Sequence, residues 1–232
     1  MPFFMMFDPL YLLFVALPSL VLLGLSTLAV KGSFHKYSQI NNSKRITGAQ
    51  AAEQILRNHG ISNVRIERVG GKLTDHFDPK TLTIRLSDKV YSSTSIAAVG
   101  IAAHEAGHAV QHAERYAPMK IRHAIVPICN FGSSVGIWIM ILGFIIEGFE
   151  FLVPVGILLF STVVIFQLVT LPVEFNASRR AMQSIHSLQL LEHNEAKGAR
   201  KVLTAAAMTY VAAMLQSVIT VLFWIIRARG RR

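Results

Sequence analysis

Charge vanishes from this chain in four places. No Asp, Glu, Lys or Arg falls between Pro9 and Val30, Ile128 and Ile146, Phe151 and Leu171, or Val202 and Ile226. A helix needs about 20 apolar residues to cross the hydrocarbon core of a bilayer, and each run meets that length. The second and third runs are joined only by Glu147-Gly-Phe-Glu150, so they form a hairpin. The pattern predicts a mainly α integral membrane protein with about four transmembrane helices: a first at 9–30, a hairpin pair within 128–172, and a fourth at 202–226. A secretory leader would open on basic residues, and Met1 to Leu10 holds none, so the first run is expected to stay in place as an uncleaved span.

Polar segments fill the gaps, at 31–125 and 173–201, with a basic tail at 227–232. In the first, Thr47-Gly-Ala-Gln50 is a capping box opening an amphipathic helix that ends near Gly60. Val64 to Val69 and Leu82 to Leu86 alternate apolar and polar residues, which predicts two half-buried strands. Gly70-Gly71 and Asp78-Pro79 mark turns between them, and Asp75-His76-Phe77-Asp78 reads as a solvated turn unless His76 or Asp78 borders a substrate groove. From Ser95 to Val110 small and apolar residues occupy almost every face, the mark of a helix inside a protein, with Ser93, Thr94 and Ser95 as N-cap candidates. The 31–125 segment is therefore expected to form a small α+β domain.

Composition agrees with a membrane protein: 52% of residues are hydrophobic and the mean hydropathy is +0.45. The net charge of +10 does not point to nucleic acid, because the basic residues are spread between apolar runs instead of being interleaved with aromatics. Lys31, Lys36, Lys44 and Arg45 follow the first run and place the 31–125 domain in the cytoplasm, with the acidic hairpin link outside. Counting four spans from there leaves the Arg-rich tail outside, against the charge rule, although the two polar segments hold most of the 23 basic residues. Along the last run Thr204, Thr209, Gln216, Ser217 and Thr220 are available for bonds between helices. Cys129 is the single cysteine, which excludes an intrachain disulfide and a Cys-rich zinc site.

Within the buried helix lies His104-Glu105-Ala-Gly-His108. Residues four apart on a helix are separated by about 6 Å along the axis and about 40° around it, so both imidazoles reach one ion. Zn²⁺ accepts two such nitrogens and leaves room for a third protein ligand and a water, toward which Glu105 would act as base. The metzincin spacing is ruled out, since Gln111 stands at its Gly and Glu114 at its last His. His112 lies about 12 Å along the axis from His104 and suits a helix end. Acids of the second polar segment remain as third ligand: Glu174, Glu192 and Glu195. Glu174 is favoured by its place at the membrane border after Leu171-Pro172, where Pro172 suits the first turn of a new helix and Ala177 and Ala181 permit close packing.

Ser95 to Ala109, Asp75 to Pro79, and Leu171-Pro-Val-Glu174-Phe-Asn176-Ala-Ser178-Arg179-Arg180-Ala181 together resemble the YugP-type neutral zinc metallopeptidases of bacterial membranes, which are similar to the HtpX and CAAX prenyl protease group of gluzincins. The resemblance runs from about Ile46 to the last span. It implies a gluzincin-like domain with one Zn²⁺ held by His104, His108 and Glu174, and Glu105 as general base. Asn176 stands where that pattern commonly has Asp, and Ser178 where related peptidases place Asp four residues after the ligand; either position would orient a ligand His. An oxyanion donor is expected among His76, His123 and Arg179. The expected activity is hydrolysis of peptide or protein substrates at a bacterial plasma membrane, with the site on the cytoplasmic side. The rival readings are a catalytically silent zinc-containing scaffold or adaptor and, less well supported because the spans hold no ionisable acid or base, a metal-ion transporter.

Overall fold

The computed structural model describes residues 8–72 and 74–230. Most of the Met1–Leu10 stretch, Leu73 and the last two arginines of the tail lie outside the described residues. In chain order the elements are α1 (Pro9–Ser38), α2 (Gly48–Asn58), β1 (Arg65–Val69), β2 (His76–Asp78), β3 (Thr83–Ser87), α3 (Asp88–Tyr91), α4 (Ile96–Ala113), α5 (Ala117–Ile145), α6 (Leu152–Phe160), α7 (Thr162–Ser187) and α8 (His193–Arg229). Helices α1, α5, α6 with α7, and α8 are long and apolar enough to cross a membrane. The protein is mainly α, with a small sheet, as the apolar runs predict.

The chain divides into two compact units. One comprises 8–26, Lys120–Leu171 and 209–230, the other Thr27–Met119 and Pro172–Met208.

In the first unit, glycines let helices touch backbone to backbone. A Cβ added at Gly136 would lie 2.8 Å from the Gly156 carbonyl oxygen, and one at Gly156 would run into the Met140 amide and lie 2.7 Å from the Gly136 carbonyl. Helices α5 and α6 thus pack at a separation that no larger residue permits at these points. Tyr11 of α1 packs edge-on to Phe223 and stacks with Trp224 of α8, at centroid distances of 5.4 and 5.7 Å. Large apolar side chains such as Leu20, Phe131, Leu158 and Ile226 point outward, the arrangement for a lipid surroundings. Ser217 and Thr220, expected to bond between helices, donate instead to the Met214 and Gln216 carbonyls of their own helix. A hydroxyl in an apolar phase finds its nearest acceptor one turn back, without needing a neighbour.

Pro172 behaves differently from expectation. Pro127 and Pro172 lie inside α5 and α7, so Pro172 does not open a new helix. Each removes one backbone bond, but leaving the helix in an apolar phase would expose many more, and membrane helices tolerate the loss. Near the start of α1, the backbone widens into a π turn at Leu12–Ala16 just before Pro18, whose missing N–H could not have bonded Phe14. Helix α1 also runs on to Ser38, and α8 begins at His193, so both extend well beyond their charge-free runs.

The second unit is built around α4. The capping box forms as expected, with Thr47 Oγ1 accepting from the Gln50 amide and Gln50 Oε1 from the Thr47 amide. Strands β1 and β3 pair in parallel, and β2 pairs antiparallel with the other edge of β3, giving the order β1-β3-β2. The segment read as a solvated turn is therefore an edge strand: Phe77 is buried and pairs in register with the fully buried Ile84. Ser95 caps α4 by accepting from the Ala98 amide. Almost every residue of α4 from Ile96 to Gln111 is buried, and its small residues admit neighbours on several sides. A Cβ at Gly100 would lie 3.2 Å from Ala199 of α8, and one at Gly107 would lie 2.7 Å from the Ala177 carbonyl of α7. The core continues through Ile55, Leu86, Val99, Val110, Val173 and Ile185.

Candidate metal centre

The approach of α4 to α7 at Gly107 and Ala177 decides what the site contains. Ala177 is one turn after Glu174, and Gly107 lies between His104 and His108, so this contact sets the reach from carboxylate to imidazoles. Glu174 Oε2 lies 3.3 Å from His104 Nε2 and 3.4 Å from His108 Nε2. The three donor atoms lie within 4.8 Å of one another. The two rings meet edge to face, 4.7 Å between centroids. His108 and Glu174 are buried and His104 is partly exposed, so the cluster has one wetter side.

The outer nitrogens of both rings are occupied. His108 Nδ1 is 3.0 Å from Gln111 Oε1, and His104 Nδ1 is 3.2 Å from Ser178 Oγ. With a proton on each Nδ1, both Nε2 atoms turn a lone pair toward a carboxylate oxygen, and three acceptors converge on one point. Such a point requires positive charge. Protonated imidazoles would supply it in part: burial pulls the His108 pKa down, but hydrogen bonding with Glu174 and the charges of Glu105 and Glu174 outweigh this and raise it above the ordinary histidine value. A divalent cation satisfies all three acceptors at once, and two nitrogens with one oxygen is a donor set that suits zinc. The residues present therefore fit the ion.

Glu105 is buried on the same helix, outside the cluster of three donors, yet close enough for its charge to act on His108. The other acids considered as third ligand are used elsewhere. Glu195 accepts from the Glu192 and Ser43 amides, at 2.9 and 2.8 Å, and so fastens the start of α8 to the 40–46 segment; Glu192 is exposed.

Of the more distant residues, Ser178 touches His104, whereas Asn176 touches neither histidine of the cluster. Its Oδ1 accepts from Gln111 Nε2 at 2.9 Å and from Arg180 Nε at 2.7 Å. Arg179 is exposed on α7. His76 is exposed on β2, its Nδ1 2.8 Å from the Thr74 carbonyl, and His112 packs near Phe77 at the end of α4. His123 belongs to the other unit. Gln111 and Arg180 escaped the sequence reading. A Gln among apolar neighbours, one turn beyond His108 on a helix buried all round, was the signal that could have found the first of them.

These features agree with what the chain as a whole resembles. The family described as "Putative neutral zinc metallopeptidase" matches residues 11–229. The chain belongs to this family. A protein of Bacillus subtilis (strain 168) named "Putative membrane protease YugP" is 47% identical over 224 residues, covering 95% of this chain and 99% of that protein. No solved structure matches. For a member of a zinc metallopeptidase family, three convergent donors beside a buried glutamate form the natural place for the metal.

Proposed function

We propose that this protein is a membrane-bound endopeptidase of gluzincin type that hydrolyses protein substrates at a single zinc ion held by His104, His108 and Glu174. The observation that carries the reading is the convergence of those three donor atoms, from two helices far apart in sequence, beside Glu105. Zinc, when bound, supplies the Lewis acidity that makes water nucleophilic near neutral pH and polarises a peptide carbonyl. Glu105 then takes a proton from the attacking water as its oxygen bonds to the carbonyl carbon. As the C–N bond breaks, Glu105 returns that proton to the departing amine. Burial of Glu105 and Glu174 keeps both carboxylates from competing hydration. His104 is the more exposed of the two histidines, so the substrate carbonyl is expected to enter from its side.

The name of the Bacillus subtilis relative and the four apolar helices support a multi-pass protein of the bacterial plasma membrane. The lysines and arginines after the first span support a cytoplasmic site. A relation to the HtpX and CAAX prenyl protease group belongs to this same proposal.

Glu105→Gln tests the reading, with fluorescently labelled casein as a general substrate for the detergent-purified protein. Loss of general acid–base catalysis typically costs 10²–10⁴-fold, so the cleavage rate should fall by about that factor with zinc content unchanged. Wild-type cleavage by Glu105→Gln would overturn the assignment of the base. Absence of cleavage by the wild type would favour the silent scaffold.

A further inference from the structure

Amide side chains are usually ambiguous, because oxygen and nitrogen look alike, but here the chemistry at both ends of a chain of contacts fixes them. Gln111 is fully buried. Its Nε2 lies 2.8 Å from the Val173 carbonyl, a group that can only accept, so the amide nitrogen faces α7. Asn176 Oδ1 lies 2.7 Å from Arg180 Nε, a group that can only donate, so the Asn176 oxygen faces Arg180 and also takes the second Gln111 proton. Arg180 is itself held by Glu114, 2.7 Å away, with its guanidinium over the Tyr116 ring. With Gln111 Nε2 committed twice, Gln111 Oε1 faces His108 Nδ1 as an acceptor. His108 must therefore carry its proton on Nδ1, leaving the Nε2 lone pair aimed at the cation position.

We propose that Gln111 is a positioning residue for the metal site, oriented by Val173 and by Asn176 with Arg180, and that it presets the tautomer and ring orientation of His108 before metal binds. This rests on the zinc-site reading and extends it to residues that touch no metal. His104 is different. Its Nδ1 meets the Ser178 hydroxyl, which rotates to donate or accept and so selects no tautomer. The site thus pairs one preset ligand with one adaptable ligand. The relay uses only the oxygen of Asn176, so a carboxylate at that position would serve equally.

The test is zinc affinity of the full-length protein in detergent, by competition with a chromophoric chelator, together with the visible spectrum of the cobalt-loaded form. Removing an outer partner of a ligand histidine typically weakens metal binding about 10–100-fold, which is the loss expected for Gln111→Leu, with a changed cobalt spectrum. Gln111→Glu keeps an acceptor at His108 but turns its second oxygen toward the Val173 carbonyl and Asn176 Oδ1, which can no longer hold it, so it should also bind zinc more weakly than the wild type. Asn176→Asp should bind as the wild type does, and Asn176→Leu should bind more weakly, a pair that decides the matter even if Gln111→Leu fails to fold. Wild-type affinity and spectrum in folded Gln111→Leu, or equal affinity in Asn176→Asp and Asn176→Leu, would overturn the relay alone. A wild type that binds no zinc would overturn the metal site and the relay with it.

Discussion

The two units of this protein treat polar side chains in opposite ways. In the unit formed by the apolar spans, Ser133, Ser161, Ser217 and Thr220 fold back onto the turn before them, at Asn130, Ile157, Met214 and Gln216, and Thr162 divides its hydroxyl between the preceding Leu159 carbonyl at 2.7 Å and a longer 3.5 Å contact with Cys129 of α5. In the unit around α4, buried polar groups reach across elements. Asn42 bonds the carbonyls of Ile46 and Thr94, Gln111 bonds Val173 and Asn176 of α7, and Ser178 bonds His104. Packing by small residues is common to both, through Gly136 and Gly156 in one and Gly107 and Ala177 in the other. Close approach in the first unit only joins helices. In the second it also brings Glu174 within reach of His104 and His108, so the same device becomes a condition for the proposed metal site.

If that contrast is right, removing the metal should affect one unit only. A ligand present at about 1,000 times its dissociation constant stabilises the state that binds it by about 4 kcal/mol. Chelation should therefore raise hydrogen exchange sharply in α4 and in α7 around Glu174, with α5 and α6 unchanged; uniform change along the chain would break the comparison. Gly107→Val comes next. Overpacking of this kind costs about 1–3 kcal/mol, and the forced separation of α4 from α7 should carry Glu174 away from the histidines, lowering zinc affinity by more than the ~10–100-fold of an outer-partner change. Gly156→Val sharpens the contrast from the other side. It should cost a similar 1–3 kcal/mol in thermal unfolding in detergent, yet leave zinc affinity as it was. Equal loss of zinc in both glycine variants would mean that the units do not separate as described.

Much of this was legible from local pattern. The spacing of His104 and His108, the caps at Thr47 and Ser95, the alternation in β1 and β3 and the four charge-free runs are all short-range features that solvent and geometry impose directly. β2 was hidden because three residues, His76 to Asp78, are too few to show alternation, and Asp78-Pro79 announces a turn. Pro172 suggested the start of a helix because the rule that keeps proline to a first turn comes from water, where a freed carbonyl finds a partner. Glu174 needed the requirement of a third ligand and a family resemblance, since its partners lie 70 residues away along the chain for His104. The relay through Gln111, Asn176 and Arg180 depends on how α4 meets α7, which no local pattern encodes.

The central claim is that one carboxylate on α7 closes a metal site opened by two histidines on α4. Zinc content of the detergent-purified protein, measured in parallel for the wild type and Glu174→Ala, tests it most directly. The account predicts about one zinc per wild-type chain and loss of most of it in the variant, with the helical circular dichroism unchanged. Wild-type zinc content in Glu174→Ala would contradict it.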